Sequence, residues 1–136
     1  MNNPNPCTIS SVTLLVEDYD AAIAFFTQVL RFELLEDQDL GNGARWVRLI
    51  PSGTEGTALV LTKATSAAQR TALGKQAGDG VFAILHSRNF TADYEYMRTR
   101  GVEFDEPPRQ EPYGTVAIFR DLCGNKWDLI EPATLP

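Results

Sequence analysis

The feature that most restricts what this chain can become is a pattern of secondary structure written twice. A β-branched, apolar run at residues 9–16 (ISSVTLLV) reads as a strand. The segment EDYDAAIAFFTQVL follows, with Ala22, Ile23, Phe26, Val29 and Leu30 at helical spacing and acids at its start, where the helix dipole favours them. Strand-like runs come next at 32–39, 44–50 and 57–63, punctuated by the turn signals GNG and PSGTEG. The order then recurs. Residues 81–86 read as a strand, and FTADYEYMRTRG as a helix closed by Gly101 at its C′ position. Residues 102–106, 115–120 and 126–131 read as three further strands. At one junction the halves align residue by residue, FFTQVLRFEL against EYMRTRGVEF.

The expected fold is therefore α+β, two tandem βαβββ modules with mixed, curved sheets. Each helix needs an apolar surface to cover, so it packs on the convex side of its own sheet and leaves the concave face free for a ligand cavity. The boundaries follow from the punctuation: a flexible lead-in at 1–8, a first module at 9–63, a polar Ala-rich linker with room for one short helix at 64–79, and a second module at 80–132. At 136 residues and 43% hydrophobic content, the halves share one compact domain rather than forming two.

Composition excludes several partners. A net charge of −6 without a cluster of Lys and Arg does not suit a phosphate backbone, so no nucleic acid is expected. Apolar runs are broken within about ten residues, too short for a membrane span, and MNNPNPCTIS lacks the basic start and apolar stretch of a secretory signal. The two cysteines, Cys7 and Cys123, imply no disulfide framework. Cytoplasmic residence is the expectation.

VTLLVEDYDAAIAFFTQVLRFEL, YMRTRGVEF and DLCGNKWDLIEP, in that order, resemble the vicinal oxygen chelate superfamily of glyoxalase I, bleomycin-resistance proteins, fosfomycin-resistance enzymes and extradiol dioxygenases. The resemblance runs from Ile9 to Pro132, with Arg31 where glycine is usual. It implies a homodimer, and a metal site drawing one ligand from each of four strands. Those positions fall on Ser11, Val60, Phe82 (or Val81, one residue earlier) and Asp128. Only Asp128 is an acid there, and the chain has a single His. A divalent ion needs three or four N, O or S donors. No metal and no other cofactor is therefore expected, and glyoxalase I activity, which relies on a Lewis acid, is not expected either. The resemblance is then to the bleomycin-resistance branch.

Period-two alternation supplies the neighbours of those positions. Ser11, Thr13 and Leu15 share a face, as do Phe82, Ile84 and His86, and Lys126, Asp128 and Ile130. Asp128 and His86 are the candidate catalytic pair, a general base and its orienting partner. The alternative is that His86 sits half exposed at a strand end while Asp128 bonds a neighbouring backbone group. In ARWVRL, Trp46 and Arg48 face the cavity if Val47 and Leu49 face the helix, and would suit a planar or anionic ligand. Equally, Trp46 fills a hydrophobic gap or a subunit interface and Arg48 reaches to solvent. Tyr113 overlooks the rim from a Pro-Tyr-Gly turn, Trp127 belongs to the core, and Gly124-Asn125 serve a hairpin turn through positive φ. Cys123 has no nearby cation in sequence to activate it.

Beside a third, non-catalytic reading as a structural or regulatory partner domain, two functions remain open on these residues. One is a metal-independent binder of a small organic molecule, with Ser11, Thr13, Trp46, Arg48, Val60, Phe82 and Tyr113 as ligand contacts. The other is a lyase or isomerase that moves a proton with Asp128 and His86, without a metal or with an atypical one.

Overall fold

The structure is a computed structural model and describes residues 2–133. The first module runs β1 (Ser11–Val16), α1 (Tyr19–Ala24), β2 (Phe32–Gly41), β3 (Ala44–Pro51) and β4 (Ala58–Lys63). The second runs β5 (Val81–His86), α3 (Phe90–Thr99), β6 (Arg109–Glu111), β7 (Gly114–Arg120) and β8 (Lys126–Pro132). Between them lies α2 (Ala67–Ala72), opened by a capping box in which Ser66 and Gln69 each satisfy the other's backbone amide. The sheets have matching orders, β1-β4-β3-β2 and β5-β8-β7-β6. In each the first and last strands pair in parallel and the remaining pairs are antiparallel. The fold is the duplicated βαβββ arrangement of an α+β protein.

Local chemistry sets the ends of the elements. The Asp18 carboxylate accepts from the Ala21 amide at 2.7 Å and starts α1, which continues as a π-helical turn over Phe25–Val29. Asn42 and Gly43 take φ of 56° and 81°, the left-handed pair that a two-residue hairpin requires. At the two helix ends aligned by the repeat, Gly101 has φ 86° and Arg31 has φ 58°. Glycine takes that conformation freely, whereas a residue with a Cβ is held there at a cost of about 1–2 kcal/mol.

One core serves both modules. Leu14, Val16, Val47, Leu49, Leu59 and Leu61 from the first sheet join Ala117, Phe119, Trp127 and Leu129 from the second, with Phe26 of the π-helical turn and Met97 of α3 in the same cluster. Trp127 sits at the contact, with ring centroids 5.9 Å from Phe26, 6.3 Å from Phe32 and 5.8 Å from Phe119. Its indole N–H donates to Asp121 at 3.0 Å, satisfying its polar end inside the core. Because each sheet turns one face into this core, the opposite faces lie outside it, one per module.

Three expectations need correction. Residues 102–106 do not form a strand; a single bridge joins Phe104 to Phe119, and the edge strand of the second sheet is Arg109–Glu111, beyond Pro107-Pro108. Proline cannot donate to a ladder, so regular pairing with β7 begins after Pro107-Pro108. Asn125 does not take positive φ; Gly124 alone does so in that turn, with φ 103°. Asn125 is instead buried, its amide donating to Asp121 and its carbonyl accepting from Gln76 N at 3.2 Å. Phe82, expected beside Ile84 and His86, faces the core at 5.7 Å from Trp127. A register shift between Val81 and Ala83 is the cause, since the extra residue of a bulge breaks the alternation.

Candidate functional site

The open face of the first sheet is built by one cross-strand row. Register places Glu36 opposite Arg48, Arg48 opposite Val60, and Val60 beside Thr13. Val47 and Leu49 are fully buried in the core, so alternation turns Trp46 and Arg48 outward onto this face. The Arg48 guanidinium is fixed by two partners, donating from Nε to Ser11 Oγ at 3.1 Å and from Nη1 to Glu36 Oε1 at 2.5 Å. The other Glu36 oxygen accepts from the Trp46 indole N–H at 3.1 Å. Glu36 therefore holds a cation and an aromatic plate side by side, and its carboxyl is kept below the ordinary range chiefly by the hydrogen bond from Arg48. Trp46 remains 37% exposed, an indole surface available for stacking.

Glu36 is the residue sequence reasoning missed. Counting back from the two-residue turn with regular pairing would put Asp37 opposite Arg48; an irregularity between Asp39 and Gly41 shifts the partner to Glu36.

On the second module the open face carries Asp128 between Ile84 and Ile118. Burial pushes the Asp128 carboxyl above its ordinary 3.8; the Arg109 guanidinium opposes this shift and the Glu106 charge adds to it. Arg109 is in turn held by Glu106 at 2.8 Å and Glu111 at 2.9 Å. Ile84, beside Asp128, is 64% exposed.

His86 and Asp128 are not brought together. Asp128 stands opposite Ile84 and His86 opposite Ile130, two residues further along the strand, and among the described residues no hydrogen bond or ion pair joins them. His86 instead borders a cleft at the module junction that also includes Arg31, Asp93 and Tyr96. Tyr113 is exposed in the β6–β7 turn, where its carbonyl accepts from Ala133 N. Ser11, Thr13, Trp46, Arg48 and Val60 thus share one face, Asp128 lies on the other module's face, and Phe82 is half-buried against the core.

The positions that the resemblance assigns to a metal do not supply its donors. Ser11 Oγ is engaged by Arg48, Val60 has no donor atom, and Phe82 (like Val81) has none in its side chain, which leaves Asp128. Among the described residues no three His, Cys, Asp or Glu side chains come together in a way that could hold an ion.

Comparison with known proteins agrees with the architecture. UcmS2, a solved structure, superposes with a TM-score of 0.82 at 32% identity, covering 93% of this chain and 99% of that one. TnmS3, an antibiotic binding protein from Streptomyces sp. CB03234, superposes with a TM-score of 0.77 at 27% identity, covering 97% of this chain and all of that one. An uncharacterized protein of Shewanella frigidimarina is 42% identical over 125 residues, 91% of this chain and 93% of its own length. The model of the Glyoxalase/Bleomycin resistance protein/Dioxygenase superfamily matches residues 8–129, and with the duplicated fold on the page the chain belongs to that superfamily.

Proposed function

We propose that this protein binds a small, planar organic molecule on the open face of the first module without a metal, as a cytoplasmic homodimer. The observation that carries this reading is the Glu36–Arg48–Trp46 arrangement: an exposed indole and a guanidinium fixed by hydrogen bonds on both sides. Such a site supplies stacking area and an oriented charge at little ordering cost. Likeness to an antibiotic binding protein points the same way. Both open faces lie outside the shared core and are free to meet a second copy, and in the proposed homodimer one copy's Asp128 face covers the other's Trp46 and Arg48. Among the described residues no helix is long and apolar enough to cross a membrane.

The test is fluorescence titration with two planar probes of opposite charge, anthraquinone-2-sulfonate and proflavine. Saturable quenching that is lost in Trp46→Ala and weakened in Arg48→Ala is expected, and the preferred probe identifies the ligand charge. Binding unaffected by both substitutions would overturn the site. Metal content by plasma mass spectrometry, after reloading untagged protein with zinc, nickel, iron and manganese, should show no near-stoichiometric retention. One tightly held ion per chain would sink the metal-free reading.

A second reading rests on Asp128, whose raised carboxyl suits a general base in a metal-independent lyase or isomerase. His86 pairs with Ile130, one diagonal step from Asp128, and no hydrogen bond joins the two among the described residues, so this reading rests on Asp128.

A further inference from the structure

The repeat sets Arg31 against Gly101, and both hold left-handed backbone at the end of a helix. Glycine is the natural occupant of that conformation, so nothing in the backbone asks for arginine. The side chain of Arg31 does something instead. Its guanidinium lies 3.6 Å from the Tyr96 ring centroid and 3.9 Å from the Asp93 carboxylate. With Ser52, these groups rim a cleft of about 200 Å³ between the modules, whose floor is Leu30, Phe32, Leu85, Met97 and Leu129. Leu85 and Leu129 belong to the core-facing side of the second sheet, so this cleft is separate from the open faces.

The Arg31–Asp93 contact is loose, and both side chains are about half exposed, at 52% and 41%. One Asp93 oxygen takes the Ser87 hydroxyl at 2.5 Å, while among the described residues the other meets the guanidinium at 3.9 Å. A ligand bringing a carboxylate to Arg31 and an ammonium to Asp93 would replace that one long contact with two charge-assisted hydrogen bonds. A carboxylate alone would satisfy Arg31 and leave Asp93 opposed. The apolar floor asks for a hydrocarbon group branching off beside the two charges, and the space is sufficient, since an apolar cavity of about 150 Å³ accommodates a benzene ring. We propose that this junction cleft binds a free α-amino acid with an apolar side chain, its carboxylate on Arg31, its ammonium on Asp93 and its side chain over Phe32 and Met97.

Amide NMR spectra of the full chain, titrated with L-phenylalanine and with L-leucine, test this. Saturable shifts at Arg31, Ser52, Asp93 and Tyr96 are expected. Arg31→Gly suits the backbone as Gly101 does, so it should keep the folded spectrum and weaken binding about tenfold or more. Asp93→Asn, 3-phenylpropionate and phenethylamine each remove one charge and should weaken binding to a similar degree. The proposal is overturned by the absence of saturable shifts with both amino acids, by full affinity in Arg31→Gly, or by 3-phenylpropionate binding as well as phenylalanine.

Discussion

The two modules share one chain order and differ in where their order is stored. In the first, the outer strand β2 runs ten residues against β3, and the loop from β3 to β4 is exposed, turning at Gly53 with φ 78°. In the second, the outer strand β6 is three residues long, and the turn from β7 to β8 is buried around Asp121. That carboxylate accepts from the amides of Cys123, Gly124 and Asn125, from the Asn125 side chain and from the Trp127 indole. One topology can thus be held by a long ladder or by a single polar hub. The long ladder also leaves its outer face free to carry Glu36, Trp46 and Arg48.

Replacing the hub should have the largest effect. Asp121→Ala strands several buried donors at once and should cost about 3 kcal/mol or more in urea unfolding. Thr54→Ala, in the corresponding turn of the first module, loses one exposed hydrogen bond to Pro51 O and should change stability by less than about 0.5 kcal/mol. Equal losses would break the contrast. Gln76→Ala comes next. Its side chain accepts from Leu15 N and donates to Thr13 O, so its loss should cost about 1–2 kcal/mol and speed hydrogen exchange at Leu15. Arg48→Ala, on the surface ladder, should cost less than about 1 kcal/mol of stability while weakening probe binding clearly, which separates function from folding.

The smallest effect concerns Asp128. Its folded carboxyl lies above the ordinary 3.8, so the folded chain holds a proton that the unfolded chain releases sooner. Its favourable contribution is complete below the unfolded value and is lost as pH rises through the folded one. Asp128→Asn should therefore melt slightly higher than the parent at neutral pH, with the advantage shrinking in acid. An advantage that grew in acid would reverse the sign of the burial effect.

Strands whose side chains alternate without interruption were legible. Residues 11–16, 44–51 and 126–132 present the faces that period two predicts, because a regular pleat has no freedom in which side of the sheet a residue takes. Interruptions were not legible. The bulge at Phe82 moved a ring from the open face to the core, and the irregularity before Gly41 changed the partner of Arg48 from Asp37 to Glu36. Each is a one-residue event with no strong local signature. The Asp121 hub had a weak signal, an Asp opening a tight Gly-Asn turn, but its indole partner depends on how β8 folds back. The link from Gln76 to β1 spans more than sixty residues and is visible only in three dimensions.

That link protects more than one strand. Among the described residues β1 pairs with β4 alone, and its other edge is the kind of open template on which a foreign chain can polymerise. The Gln76 side chain, docked between Thr13 and Leu15 while its backbone N–H is moored to the Asp121 turn through Asn125, fills the place where an invading strand would register. The connecting segment thus occupies backbone groups on the very edge from which self-templated aggregation would start.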